Sequence, residues 1–218
     1  MTTFILVAGA WHGAWAWDRL VPLLKGAHTL APDLAFDAGT GLHDHVREVV
    51  AAVDTVDGDV VLVGHSYAGL VVREAADLRP ERVSRVVLVD GWAGGDGVSL
   101  FGLAPEAFEK AVRAGADGTL VRVPKPEVFG VTDPDDAAWL APRLRPQPLG
   151  TFIEPTRLSG AVDRIPGTAI CCRPATYAFD RFAEAVGYRV LTLDGPHDVM
   201  LTDPEALSRL ILEAASIQ

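Results

Sequence analysis

Ser66 sits between small residues in GHSYAG, directly after the apolar run Val60 to Val63 and directly before Leu70, Val71, Glu74 and Ala75 at helical spacing. A strand, a sharp turn and a helix with a serine at the apex form a nucleophile elbow, which thrusts the hydroxyl clear of the backbone. Gly64 and Ala68 suit a turn that brings strand and helix close together. Ala68 stands where the motif more strictly has glycine, and Gly69 follows it. A serine hydroxyl is a poor nucleophile near neutral pH and needs a general base within hydrogen-bond reach. Of the six histidines, His197 in LDGPHDVMLTDP follows the last apolar run, so it leaves the same sheet edge as the elbow. Open parallel sheets place their sites at that edge.

The other histidines are read differently. His65 adjoins the serine but diverges from it at an elbow and is expected to pack. His43 and His45 fall at a helix start, as solvated or capping residues, and His28 begins a strand with no partner in view. His12 lies in the loop after the first strand, where it joins the candidate substrate pocket. A developing oxyanion needs backbone N–H donors. Tyr67, the residue after the nucleophile, should give one, and Ala10 in VAGAW the other.

These residues must be positioned by a sheet. Thr3 to Ala8, His28 to Leu34, Val60 to Val63, Val83 to Asp90, Thr168 to Cys172 and Arg189 to Asp194 read as strands, mostly continuous apolar runs. Helical patterns separate them, at about Ala16 to Lys25, His43 to Val56, Asp180 to Val186 and Pro204 to Ala215. Apolar runs alternating with helices describe a mostly parallel α/β sheet of about six strands covered on both faces. From Gly91 to about Ile165 the alternation stops and proline-led helical pieces take over, at Pro105 to Arg113 and Pro134 to Leu144, which reads as a helical cap insertion. The 218 residues fit one domain, 1–218, with that insertion inside it.

VAGAWHGAWAW, GHSYAG, PQPLGTF and GPHDVMLTDPEAL resemble the α/β-hydrolase superfamily, in its branch of small esterases related to plant methylester esterases and hydroxynitrile lyases. The similarity runs over nearly the whole chain. It implies a Ser-His-Asp triad with Ser66 as nucleophile and His197 as base, an oxyanion hole of Ala10 and Tyr67, helices capping the pocket, and neither cofactor nor metal. Two departures stand out. Ala8 replaces the histidine usual after the first strand, which predicts a looser oxyanion loop. Arg173 and Pro174 stand where the triad acid is expected, in RPATYAFD. Asp90 is the first candidate to replace it, because it ends a strand at the same edge. Asp180, read also as a helix N-cap, is the second, Asp198 beside His197 the third, and the absence of any acid, leaving a Ser-His dyad, the fourth option.

Composition narrows the partners. A net charge of −10, from 19 basic and 29 acidic residues, disfavours nucleic acid and offers little to an anionic membrane. No apolar run reaches the ~20 residues of a membrane helix. The chain is expected to be a soluble cytoplasmic protein acting on a small molecule, with a homodimer left open. Sixteen arginines against three lysines suggest a GC-rich bacterial genome. Cys171 and Cys172, adjacent and without metal-ligand spacing, read as core thiols. Trp11, His12, Trp92 and Phe101 are the candidate pocket residues. The reaction expected is hydrolysis of an ester, thioester or lactone of a small apolar molecule. A lyase or cyclase using Ser66 and His197 for proton transfer is the alternative, and a non-catalytic binder a third.

Overall fold

The computed structural model describes residues 2–216. The elements run β1 (Thr3–Val7), β2 (His28–Leu30), α1 (Leu42–Thr55), β3 (Val60–His65), α2 (Ala68–Leu78) and β4 (Val83–Val89). Then come α3 (Leu100–Leu103), α4 (Glu106–Gly115), β5 (Ala116–Asp117), β6 (Leu120–Val121), α5 (Pro134–Leu140), β7 (Gln147–Pro148) and α6 (Gly150–Ile153). The chain closes with β8 (Gly167–Arg173), α7 (Phe179–Ala185), β9 (Arg189–Asp194), α8 (Val199–Thr202) and α9 (Pro204–Ser216).

Six strands form one sheet in the order β2-β1-β3-β4-β8-β9. Every neighbouring pair is parallel, from Thr3 opposite His28 to Arg173 opposite Asp194. The continuous apolar runs explain this arrangement, because β1 and β3 are buried along their whole length and need cover on both faces. β9 at one edge mixes exposed and half-buried residues, as a strand with a wet side does. Cys171 and Cys172 are buried in β8, and desolvation pushes the Cys171 thiol up to about 12. Since all six strands point one way, the turns after β1, β3, β4 and β9 leave at one edge.

Three expectations change. The helix expected over Ala16 to Lys25 is two 3-10 turns, Ala14–Trp17 and Val21–Leu23. Pro22 lies in its middle, lacks an N–H and would strike the carbonyl four residues back in an α-helix. β2 ends at Leu30, not Leu34, with Pro32 two residues on. The segment from Gly91 to Ile165 is not wholly helical, since β5, β6 and β7 make a small antiparallel sheet within it. Strands of two residues leave no periodicity to read. Its α5 starts as its proline suggests, with Pro134 in the first turn and the Asp133 carboxylate accepting from the N–H groups of Asp135 and Asp136.

Candidate active site

At the elbow, β3 runs directly into α2, and Ser66 adopts φ +53° between them. A Cβ on Gly64 would lie 2.7 Å from the carbonyl oxygen of Ala68, so only glycine fits there. The other close approach falls at Gly69, where a Cβ would lie 2.2 Å from the Trp92 carbonyl oxygen. Ala68 itself is accommodated, which explains why glycine is dispensable at 68 and present at 69. Among the described residues the non-glycine positions with positive φ are Trp11, Ser66 and Asp90, all in turns at the carboxyl edge. Strained backbone of this kind gathers where function over-determines it.

Ser66 Oγ lies 2.9 Å from His197 Nε2, and His197 Nδ1 lies 2.7 Å from Asp90 Oδ2. The second carboxylate oxygen, Oδ1, accepts the Cys172 N–H at 2.8 Å. Asp90 and His197 are buried, with the Phe179 ring stacked on the imidazole at 5.6 Å. Asp90 thus leaves the end of β4 and lies across the end of β8, in front of the loop where the aspartate was missing. The other two candidate acids are elsewhere. Asp180 lies inside α7, whose N-cap is Ala178, and pairs with Arg173 at 2.9 Å, which corrects its expected capping role. Asp198 is buried and contacts His12 Nε2 at 2.9 Å.

Ala10 and Tyr67 border the same cavity as Ser66 and His197, and neither N–H reaches a backbone acceptor among the described residues. The loop that carries Ala10 is not loose. Trp11 N–H donates to Gln147 Oε1 at 2.8 Å, Arg145 N–H donates to the Trp11 carbonyl at 3.0 Å, and His12 Nδ1 meets the Ala10 carbonyl at 2.8 Å. Gln147 is itself held, donating to Thr151 Oγ1 at 2.8 Å. These contacts fix the loop although Ala8 brings no side-chain hydrogen-bonding group to it. Nothing in the residue types marks Gln147 for this task; its only signal in sequence is its place in PQPLGTF.

The cavity has a volume of about 750 Å³ and is mainly apolar. Trp11, His12 and Trp92 border it as expected, and Phe108, Phe129 and Phe152 join them. Phe101 does not. It lies behind the wall, stacked on Phe152 at 5.7 Å and with the Arg113 guanidinium over its ring at 4.8 Å. Arg122 borders the cavity, but its guanidinium donates to the carbonyls of Gly115 and Ala114.

His65 is buried as expected, with Nε2 donating to the His197 carbonyl at 3.0 Å, and burial holds it down at about 3. His45 corrects the solvated reading. It lies under the elbow, Nε2 donating to the Ala35 carbonyl and Nδ1 accepting from the Tyr67 hydroxyl, and burial lowers its affinity for a proton. His43 is half-buried, its Nδ1 2.8 Å from Glu74 Oε1. As for metals, His65, His197 and Asp198 bring ligand atoms within 4.8 Å of one another. Both ring nitrogens of His197 and Nε2 of His65 are already in hydrogen bonds, so the group does not fit a metal.

A family model described as the alpha/beta hydrolase family matches residues 4–210. The chain belongs to that family. This hydrolase is 29% identical over 241 residues to the carbendazim hydrolyzing esterase of Nocardioides sp. (strain SG-4G), covering 95% of this chain and 97% of the relative. It is 36% identical over 99 residues to methylesterase 2 of Arabidopsis thaliana, 39% of this chain and 38% of that one. In fold it is similar to an extracellular alpha/beta-hydrolase from a Paenibacillus species, with a TM-score of 0.86, 22% identity, and 98% and 99% of the two chains covered. No helix among the described residues is long and apolar enough to cross a membrane.

Proposed function

We propose that the chain is a serine hydrolase that cleaves an uncharged ester, thioester or lactone of a small apolar molecule. The observation that carries this is the unbroken series from Asp90 through His197 to Ser66, opening into the apolar cavity. Ser66 Oγ attacks the carbonyl carbon while His197 Nε2 takes its proton, and Asp90 holds the imidazole in the tautomer with hydrogen on Nδ1. The oxyanion that forms accepts the N–H groups of Ala10 and Tyr67. His197 then gives its proton to the leaving alkoxide or thiolate, and a water repeats the sequence to release the acid. Esterase-named relatives support the reaction class.

The substrate class follows from the walls. A cavity of this size lies within the range of small-molecule sites. Among the described residues Arg122 is the one arginine or lysine on the wall, and its guanidinium is bound to carbonyls, while both ring nitrogens of His12 are taken by the Ala10 carbonyl and Asp198, so no free donor cation faces a carboxylate or phosphate group. The segment Gly91 to Ile165, which supplies Phe108, Phe129 and Phe152, acts as the cap that selects the substrate. The Asp90 contact favours the hydrolase reading over a lyase or cyclase that would use Ser66 and His197 without an acid. A fluorophosphonate probe is expected to label the protein, and Ser66→Ala to abolish both labelling and hydrolysis of p-nitrophenyl acetate. Absence of labelling in the wild-type protein refutes the activated serine and leaves a binder or a lyase.

A further inference from the structure

His12 and Asp198 lie beside the triad without belonging to it. Both are buried, at 2% and 0% relative exposure. A proton count over the neighbouring histidines separates His12 from the rest. His45 has one acceptor and one hydroxyl donor, so one ring hydrogen satisfies it. His65 has one acceptor, the His197 carbonyl. His197 has the Ser66 hydroxyl on one nitrogen and a carboxylate on the other. His12 alone of these four faces two acceptors, the Ala10 carbonyl at 2.8 Å and the Asp198 carboxylate at 2.9 Å. A carbonyl cannot donate, and two acceptors at hydrogen-bond distance call for hydrogen on both ring nitrogens.

We propose that His12 is an imidazolium paired with the Asp198 carboxylate, and that this buried ion pair is a positioning unit for the loop carrying Ala10. The proposal rests on the ester-hydrolase reading, in which the Ala10 N–H receives the oxyanion. The peptide between Ala10 and Trp11 is held at both ends, its carbonyl by His12 and its N–H by Gln147. Holding that peptide holds Trp11 at φ +66° and sets the direction of the Ala10 N–H that precedes it. The charge state agrees with the surroundings. Burial pushes the His12 imidazole down, but the Asp198 charge, its hydrogen bond and the Ala10 carbonyl outweigh burial and leave it raised above 6.5. Burial pushes the Asp198 carboxyl up, and the His12 charge and hydrogen bond, with His65 and His197 behind them, bring it below the usual carboxylate range.

The groups around the pair are few. His65 on β3 has its Nε2 3.7 Å from Asp198 Oδ1, and its ring meets the edge of His12 at 6.1 Å. The rings of Trp15 and Phe129 cover His12 at 5.3 and 4.8 Å. Beyond the loop the Arg145 guanidinium pairs with Asp33 next to Gly13. His65 does not compete for the proton, because it stays neutral down to about 3. With two acceptors on its ring and its proton affinity raised, His12 should lose the cation only on the alkaline side of the ordinary imidazole range.

The test uses the full-length chain. Nitrogen-15 NMR of the imidazoles at pH 7.5 is expected to show hydrogen on both ring nitrogens of His12 and on one nitrogen of His45 and His65. With p-nitrophenyl acetate, His12→Gln is expected to lower kcat roughly 10- to 100-fold with KM within about twofold, less than the 10²- to 10³-fold of a lost oxyanion donor. The wild type is expected to show an alkaline limb of kcat that His12→Gln removes, whereas loss of a merely structural residue would leave the pH profile unchanged. Affinity for a trifluoromethyl ketone, which mimics the oxyanion, should fall in parallel with kcat. A singly protonated His12, or a His12→Gln enzyme with wild-type kcat and an unchanged alkaline limb, overturns the proposal. A doubly protonated His12 in a wild-type chain that neither hydrolyses esters nor reacts with fluorophosphonate would bear out the ion pair and overturn the hydrolase reading instead.

Discussion

Asp90→Asn tests the acid where a simple argument sets the outcome. Asparagine has the same shape, tolerates the φ of +43° found there, and leaves the packing around a buried side chain unchanged. Its two ends are no longer equivalent. The Cys172 N–H, 2.8 Å from Oδ1, demands an acceptor, so the amide oxygen must stay on that side and the amide NH₂ must face His197 Nδ1. An NH₂ donates, so Nδ1 becomes an acceptor and the ring hydrogen moves to Nε2. A protonated Nε2 cannot receive the Ser66 proton. The same exchange in a well-studied serine protease lowers turnover about 10⁴-fold by imposing the wrong tautomer, and a loss of that order is expected here. The opposite orientation of the amide would set two N–H groups against each other at Cys172, with a penalty of about 1–3 kcal/mol for the unsatisfied donor. Initial rates with p-nitrophenyl acetate across pH, with a thermal melt to check folding, decide it. Asp180→Asn, which disturbs only a partly exposed pair with Arg173, is the control expected to keep wild-type rates. A folded Asp90→Asn enzyme within tenfold of wild type refutes the reasoning.

Other predictions follow from the walls and the buried groups. Phe108→Ala should shift the preferred acyl length in a series of p-nitrophenyl esters, while Phe101→Ala, behind the wall, should leave the ranking nearly unchanged; the reverse result would place the specificity elsewhere. Gln147→Leu removes the acceptor of the Trp11 N–H and should lower kcat more than it raises KM, with a stability loss of about 1–3 kcal/mol in a denaturant melt. His65, held down at about 3, binds a proton only when unfolded between that value and 6.5, so stability falls with decreasing pH across this window. At 1.36 kcal/mol per unit the effect approaches about 5 kcal/mol at its acid end as an upper bound, and His65→Gln should flatten the melting temperature against pH between 6.5 and 3; an unchanged slope would assign the acid sensitivity to other groups.

The elements legible in sequence are those whose signal is local. Continuous apolar runs located β1, β3, β4 and β8 to within a residue or two, because a strand buried along most of its length has few polar positions to confuse it. The elbow was legible because its chemistry and its sterics fall in six consecutive residues. The clamps on the oxyanion loop were not. Gln147 reaches Trp11 across 136 positions and Asp198 reaches His12 across 186, and no periodicity or motif records such a contact. Asp198 was weighed only as a partner for its neighbour His197, yet adjacent side chains at this turn diverge, and the more distant histidine is the one it meets. His45 misled for a related reason: a position at a helix start reads as exposed unless one knows that the elbow lies above it.

The acid shows how topology can supply what residue type withholds. β4 and β8 are neighbours in the sheet and run parallel, with Val89 opposite Ile170. Neighbouring strands lie about 4.8 Å apart, so the ends of both open onto nearly the same volume beneath His197. A carboxylate from either end can fill it, provided the backbone turns the side chain across the gap. The left-handed conformation of Asp90 makes that turn, and two hydrogen bonds from the β8 side and its own strand end fix it there, Cys172 N–H to Oδ1 and Asp90 N–H to the Ile170 carbonyl. Once the carboxylate comes from β4, the loop after β8 is free of the requirement for an aspartate. Arg173 can then turn away to Asp180, which is where it is found.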